Sequence, residues 1–180
     1  MNSIFTSMKR QSGISLMEVT GSLIIIGMVI SGALALFASA DTSQKTNQLQ
    51  TNVFALQSAV RSLYAGSGTY TTGAMNAVLV AAHKIPSTMT VNSDAAPVIS
   101  HGLNGGTVTV TGGGTTFSIV LTALPQEICI ALLTGATSAW SSVKANAGTA
   151  LTVFPVTPAT ASGATYCVPG IANTVTFTGA

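Results

Sequence analysis

Hydrophobic and polar positions divide the chain into three successive patterns. From Ile14 to Ala40 the sequence ISLMEVTGSLIIIGMVISGALALFASA holds a single charge, Glu18. The 22 uncharged residues from Val19 to Ala40 would extend about 33 Å as a helix, enough to cross the hydrocarbon core of a bilayer. Beyond Asp41 the apolar residues thin to Leu49, Val53, Leu56, Val60 and Leu63, while Gln44, Lys45, Gln48, Gln57 and Arg61 occupy the remaining positions. That spacing keeps the apolar residues on one stripe and predicts an amphipathic helix. No proline falls between Ile14 and Tyr64, so one helix of roughly 50 residues and about 75 Å can run through both patterns. A division into two helices near Asp41 to Ser43 is the alternative. Gly66-Ser67-Gly68 supplies the stop, since glycine readily takes the left-handed conformation that ends helices.

The third pattern, after Gly68, is short and mixed. Gly73 to His83 (GAMNAVLVAAH) predicts a short helix, ended by Ile85-Pro86 because a residue before proline resists the helical conformation. Leu103-Asn104-Gly105-Gly106 predicts a turn, and Thr107 to Thr111 alternates strictly, as a half-buried strand does. Gly112-Gly113-Gly114 reads as a second turn, with Thr115 to Leu121 as the hairpin partner. Pro125 to Leu133 predicts a helix with proline at its start and Cys129 on its apolar side. Val143 to Val153 fits no single pattern, and Thr174 to Thr178 (TVTFT) predicts a last strand.

Charge sharpens this picture. The only acids are Glu18, Asp41, Asp94 and Glu127, and the only strong bases are Lys9, Arg10, Lys45, Arg61, Lys84 and Lys144. Lys9 and Arg10 precede the apolar run and only Asp41 directly follows it, which places the N-terminus in the cytoplasm and the remainder outside by the positive-inside rule. Without the first 13 residues the chain would carry four bases against four acids. The net positive charge therefore belongs to the N-terminal segment, and no specific nucleic-acid binding is expected, because that requires a clustered basic face. The rest is polar through Thr, Ser, Gly and backbone, which suits a secreted, packed protein. In such a protein Cys129 and Cys167, the two cysteines of the chain, read as one disulfide.

Two features bear on processing. Ala38-Ser39-Ala40 imitates the small-residue site of an ordinary secretory signal, which would release a soluble protein beginning at Asp41. Against that reading, the apolar run is long for a signal core, and a carboxylate at its fifth residue would be costly inside a membrane unless it had a partner.

The juncture Lys9-Arg10-Gln11-Ser12-Gly13, followed by Ile14-Ser15-Leu16-Met17-Glu18 and the long apolar helix, resembles the class III signal of type IV prepilins. The resemblance implies that a prepilin peptidase cuts between Gly13 and Ile14 and methylates the new amine of Ile14, and that Glu18 is the assembly glutamate. The chemistry is consistent with this. Glycine lets an enzyme approach the backbone closely, and a carboxylate in an apolar bundle needs an opposite charge, which the Ile14 amine of a neighbouring subunit would supply. Gly21, Gly27 and Gly32, with Ser22, Ser31 and Ala35, would let such helices approach one another. Cys129 and Cys167 fit the disulfide that bounds the variable C-terminal region of these pilins.

An apolar first residue other than phenylalanine and Ala35 where type IVa pilins have a proline resemble the type IVb branch. Ile85-Pro86-Ser87-Thr88-Met89 and the closing Cys167 with Thr174 to Phe177 look most like PilS-type subunits of conjugative or adherence thin pili. The resemblance implies an α+β ladle fold, in which a long N-terminal helix packs on an antiparallel sheet with flanking helices. Its expected parts are a leader at 1–13, a membrane and fibre-core segment at 14–40, an amphipathic half-helix at 41–65 and a globular head at 66–180. Leu49 to Leu63 would form the head's core with Phe117, Ile119, Leu121 and Phe177.

The implied function is that of a major pilin, polymerised through its N-terminal helices into an extracellular fibre for adhesion, aggregation or mating contact. Implied partners are further copies of the chain, the prepilin peptidase, an assembly ATPase with its platform protein, a secretin, and the inner membrane before assembly. A minor or tip pilin and a secretion-system pseudopilin are the alternatives. His83 and His101 are the only histidines, each without a cysteine or carboxylate at ligand spacing, and no Ser-His-Asp set, HExxH or phosphate-binding loop is present. Enzymatic activity, a cofactor and a metal site are accordingly not expected.

Overall fold

The computed structural model describes residues 16–92 and 96–180. The chain divides into two units, Met1–Asp41 and Thr42–Ala180. Helix α1, Leu16–Tyr64, is one element of 49 residues, where the sequence left open a division near Asp41. It stops just ahead of the predicted glycines. The amide of Ser67 closes the end on the Tyr64 carbonyl at 3.0 Å, and Gly68 takes a φ of +68°.

In the second unit the elements are β1 (Tyr70–Ala74), α2 (Asn76–Ala81), β2 (Thr90–Val91), β3 (Ile99–Ser100), β4 (Thr107–Gly114), β5 (Phe117–Leu124), α3 (Gln126–Thr134), β6 (Ser142–Ala145), α4 (Pro158–Ala161) and β7 (Asn173–Gly179). All strand pairings are antiparallel. The sheet order is β2-β3-β4-β5-β7-β6, with β1 also on β4. The last strand thus lies inside the sheet, between β5 and β6.

Alternation decides which side chains reach the core. Val108 and Val110 of β4, Phe117, Ile119 and Leu121 of β5, and Val175 and Phe177 of β7 point to one buried layer, joined there by Leu49, Val53, Leu56 and Val60 of α1. Leu63 packs at its margin. The predicted core is therefore the observed one, extended by Ile128, Cys129, Leu132 and Leu133 of α3 and by Trp140. Rings of Tyr70, Phe117, Trp140 and Phe177 form a chain of contacts through it, with centroids 5.0 to 6.2 Å apart. Burying this apolar surface supplies the main drive for the head to fold.

The glycine run departs from expectation. Gly112 to Gly114 continues strand β4 instead of turning, and Thr115 and Thr116 make the turn. The reason is steric. A Cβ on Gly112 would sit 2.0 Å from the Thr71 carbonyl oxygen and 2.9 Å from Met75 Sδ, so only glycine lets β1 approach. The helix predicted over Gly73 to His83 is likewise shortened to α2, because Tyr70–Ala74 is drawn into the sheet as β1.

One edge of β4 is shared by two short strands, β3 at Thr107 and Val108 and β1 from Thr111 to Gly114. Asn76 bridges the gap between them. Its Nδ2 donates to the Val108 carbonyl at 3.1 Å, and its Oδ1 accepts from the Val110 amide at 2.8 Å. A side-chain amide thereby carries the hydrogen-bond ladder across a break that would otherwise leave buried backbone groups without partners.

Candidate assembly and surface sites

The predicted processing residues Gly13 and Ile14 lie outside the described residues. Glu18 stands in the first turn of α1, and its side chain is exposed. It is the only charged residue in Leu16–Leu34, a stretch of 19 residues long and apolar enough to cross a membrane. No other described residue covers this stretch: Leu16 is 85 %, Ile24 60 % and Leu34 62 % exposed. A helix apolar on every side is not built to face water, and its surface calls for lipid or for other helices.

Its polar atoms are arranged accordingly. The hydroxyls of Thr20, Ser22 and Ser31 donate back to the carbonyls of Met17, Val19 and Met28 at 3.0, 2.9 and 2.9 Å. Such bonds satisfy the hydroxyls where no water is at hand. A Cβ on Gly21, Gly27 or Gly32 would meet nothing within 4 Å, so no contact with another described residue requires these glycines.

Cys129, on α3, and Cys167 are joined in a disulfide across 38 positions of sequence, and both are buried. Hydrogen bonds reinforce the bounded region at its base. Gln126 Nε2 donates to the Cys167 carbonyl at 3.0 Å, and the Gln126 amide donates to the Gly170 carbonyl at 3.1 Å. Asn173, with no exposed surface, donates through Nδ2 to the carbonyls of Leu124 and Val168 and accepts at Oδ1 from the Val168 amide and Asn146 Nδ2. Asn146, at a φ of +46°, also donates to the Tyr166 carbonyl and accepts from the Thr174 amide. The two asparagines tie the start of β7 to the segment carrying Cys167. From this region Val153 and Ile171 stand out into solvent, 80 % and 58 % exposed.

Along one flank of α1, Gln50 donates to the Ala131 carbonyl at 3.0 Å, and Gln57 and Arg61 both donate to the Ala139 carbonyl at 2.9 and 3.2 Å. The amphipathic pattern places Gln57 and Arg61 off the apolar stripe without naming partners for them, and it gives the asparagines no role. The seven-residue spacing of Gln50 and Gln57, and an asparagine opening a strand where that residue is usually depleted, were the available signals.

His101 is buried in the β3–β4 turn. Its Nδ1 takes the Leu103 amide at 3.4 Å and its Nε2 faces the Thr122 carbonyl at 2.9 Å. That pair of partners suits the neutral imidazole with the proton on Nε2. Desolvation holds its pKa below the usual 6.5, with the bond to the Thr122 carbonyl opposing this. Gly106 packs so closely that its Cβ would lie 2.3 Å from Nε2. The ring is a strut, and its nitrogens are committed to backbone. Among the described residues, no group of three or more His, Cys, Asp or Glu side chains could hold a metal ion.

The sequence profile of the family described as PilS N terminal matches residues 43–180. No curated protein matches the chain. Among solved structures, TcpA, a type IV pilin from Vibrio cholerae El Tor biotype, is similar in fold, with a TM-score of 0.52 at 14 % identity, over 76 % of this chain and 99 % of that one. The long N-terminal helix, antiparallel sheet and flanking helices are those of the α+β type IV pilin fold. A family profile that spans well over half of the sequence shows that the chain belongs to the PilS family and is a type IV pilin, a structural subunit of a pilus and not an enzyme.

Proposed function

We propose that the chain is the major subunit of a type IVb pilus, made as an inner-membrane precursor. The leader 1–13 is removed between Gly13 and Ile14 by a prepilin peptidase, which methylates the Ile14 amine. Residues 14–40 anchor the precursor and then form the fibre core, residues 41–65 are the spine of the head, and 66–180 make its exposed body. An assembly ATPase with its platform protein drives polymerisation, and a secretin passes the fibre, which serves adhesion, aggregation or mating contact.

The observation that carries this reading is the helix segment Leu16–Leu34, apolar on all sides, uncovered by any other described residue and bearing one carboxylate. Moving an isolated carboxylate into an apolar bundle is unfavourable by several kcal/mol. Pairing Glu18 with the Ile14 amine of an adjacent subunit offsets that cost in one axial register alone. Cleavage, by creating the amine, licenses assembly. Sheared surface material should be dominated by this chain and should begin with N-methyl-isoleucine at position 14. A mature terminus at Asp41 would refute membrane anchoring, and a trace amount in the fibres would refute a major subunit.

A further inference from the structure

A groove of about 240 Å³ lies between α1, Thr88 and the β3–β4 turn. Its polar groups are incompletely paired. Asn52 is only 6 % exposed, and its Oδ1 accepts from the Thr88 hydroxyl at 2.9 Å, while no bond among the described residues engages its Nδ2. Trp140 Nε1 is the one buried side-chain nitrogen or oxygen among them that is both sealed from solvent and without a partner, so Asn52 Nδ2 opens onto the groove that Asn52 lines. An amide set so deeply, with one end unused, is a fixed donor for whatever enters. Gln48, one turn earlier on the same face of α1, adds an exposed amide to the lining, again with no bond among the described residues. The charged side chain of the lining, Lys45, already has a partner, which leaves no free charge to attract an ion.

We propose that this groove binds one ring of a neutral saccharide. The polarity of its groups selects that ligand. Thr88 has one hydroxyl proton, which goes to Asn52 Oδ1, so the Thr88 oxygen can only accept and Asn52 Nδ2 can only donate. A ligand group placed between them must accept from one and donate to the other, as a hydroxyl does. A carboxylate or phosphate only accepts, and an apolar group does neither. The Gln48 amide, donor and acceptor together, suits a pair of neighbouring hydroxyls. The rest of the lining is apolar. Leu49 and Leu103 are buried, and His101 has both ring nitrogens on backbone partners, which leaves ring carbon for the groove. Hydroxyls set around a C–H face are the pattern of a sugar ring. The volume is below the roughly 300 Å³ at which sites for drug-sized ligands begin, so one ring fits and any attached chain stays outside. The site lies wholly within the unit Thr42–Ala180 and does not rest on how the subunits polymerise.

The test is NMR titration of the isotope-labelled full chain in zwitterionic, sugar-free micelles. The probes are glucose, galactose, mannose and N-acetylglucosamine, each as the free sugar and as its methyl glycoside. At least one should shift the side-chain amides of Gln48 and Asn52 and the backbone amide of Leu103, saturably, with a dissociation constant on the order of millimolar for so few ligand atoms. Asn52→Leu should weaken that binding about tenfold and Gln48→Ala several-fold, the loss of one or two hydrogen bonds, read from the resonances that remain. Lys144→Ala should leave it unchanged. Melting temperatures verify folding, and because Gln48 is exposed its variant keeps the test decisive where Asn52→Leu does not fold. A methyl glycoside that binds as well as the free sugar supports a ring within a glycan, and binding of the free sugar alone supports a small free ligand. No shift from any probe up to about 100 mM, or equal binding by the folded groove variants, would overturn the proposal. So would larger shifts from inorganic phosphate, or from N-methylacetamide standing for a peptide group.

Discussion

Asn173 is fully buried and makes four hydrogen bonds to three separate stretches of chain. Replacing it with alanine takes a partner from the buried Leu124 carbonyl and from the half-buried backbone groups of Val168, at roughly 1–3 kcal/mol for each group that finds no water. Asn173→Ala should therefore lower the unfolding free energy of the head by about 3 kcal/mol or more, read from the urea midpoint, while an exposed Asn47→Ala should change it little. His101 makes the opposite kind of contribution, one that depends on staying uncharged. Its folded pKa is lowered by burial, so the unfolded chain binds the proton more readily. Stability from His101 is thus fully present above the unfolded value near 6.5 and declines as pH falls through it. The urea midpoint should fall between pH 7 and pH 5, and His101→Gln should flatten that dependence.

Among elements, the edge of β4 carries the most information about how the head is closed. β1 lies against it only because position 112 has no side chain, and Asn76 seals the interval between β1 and β3. Gly112→Ala should displace β1 at a cost of about 1–3 kcal/mol. Amide hydrogen exchange would check this: protection should fall at Gly73 and Ala74, partners of Gly112 and Thr111, and persist in β5 and β7. The glycine triplet reads as a turn in the sequence because backbone freedom and lack of volume leave the same mark there. Only the neighbouring strand tells them apart.

For the whole molecule, the disulfide and the N-terminal helix matter most. Cys129–Cys167 closes a loop over 38 positions, and the chain-entropy account values such a cross-link at roughly 4 kcal/mol. The Cys129→Ala, Cys167→Ala pair should destabilise the head by about that amount in chemical denaturation. Surface fibres made from it should survive shear less well than wild type. Because the bounded region is also pinned by Gln126, Asn146 and Asn173, β5 and β7 should remain paired in the variant.

Sequence by itself determined the long helix, its apolar and amphipathic halves, the core stripe Leu49 to Leu63 and the last strand. Each of these is written in local periodicity, and periodicity needs no knowledge of the rest of the chain. The setting of Glu18 within an apolar run was legible for the same reason. What tertiary structure alone decided is the order of the sheet, with β7 inserted between β5 and β6, the pairing of β1 with a glycine-lined edge, and the burial of Asn76, Asn173 and His101. Short strands of two to five residues, such as β1 to β3, have no stability of their own and exist because a partner edge offers hydrogen bonds. A buried asparagine or histidine, likewise, becomes favourable only once distant backbone groups have been brought within reach of its polar atoms.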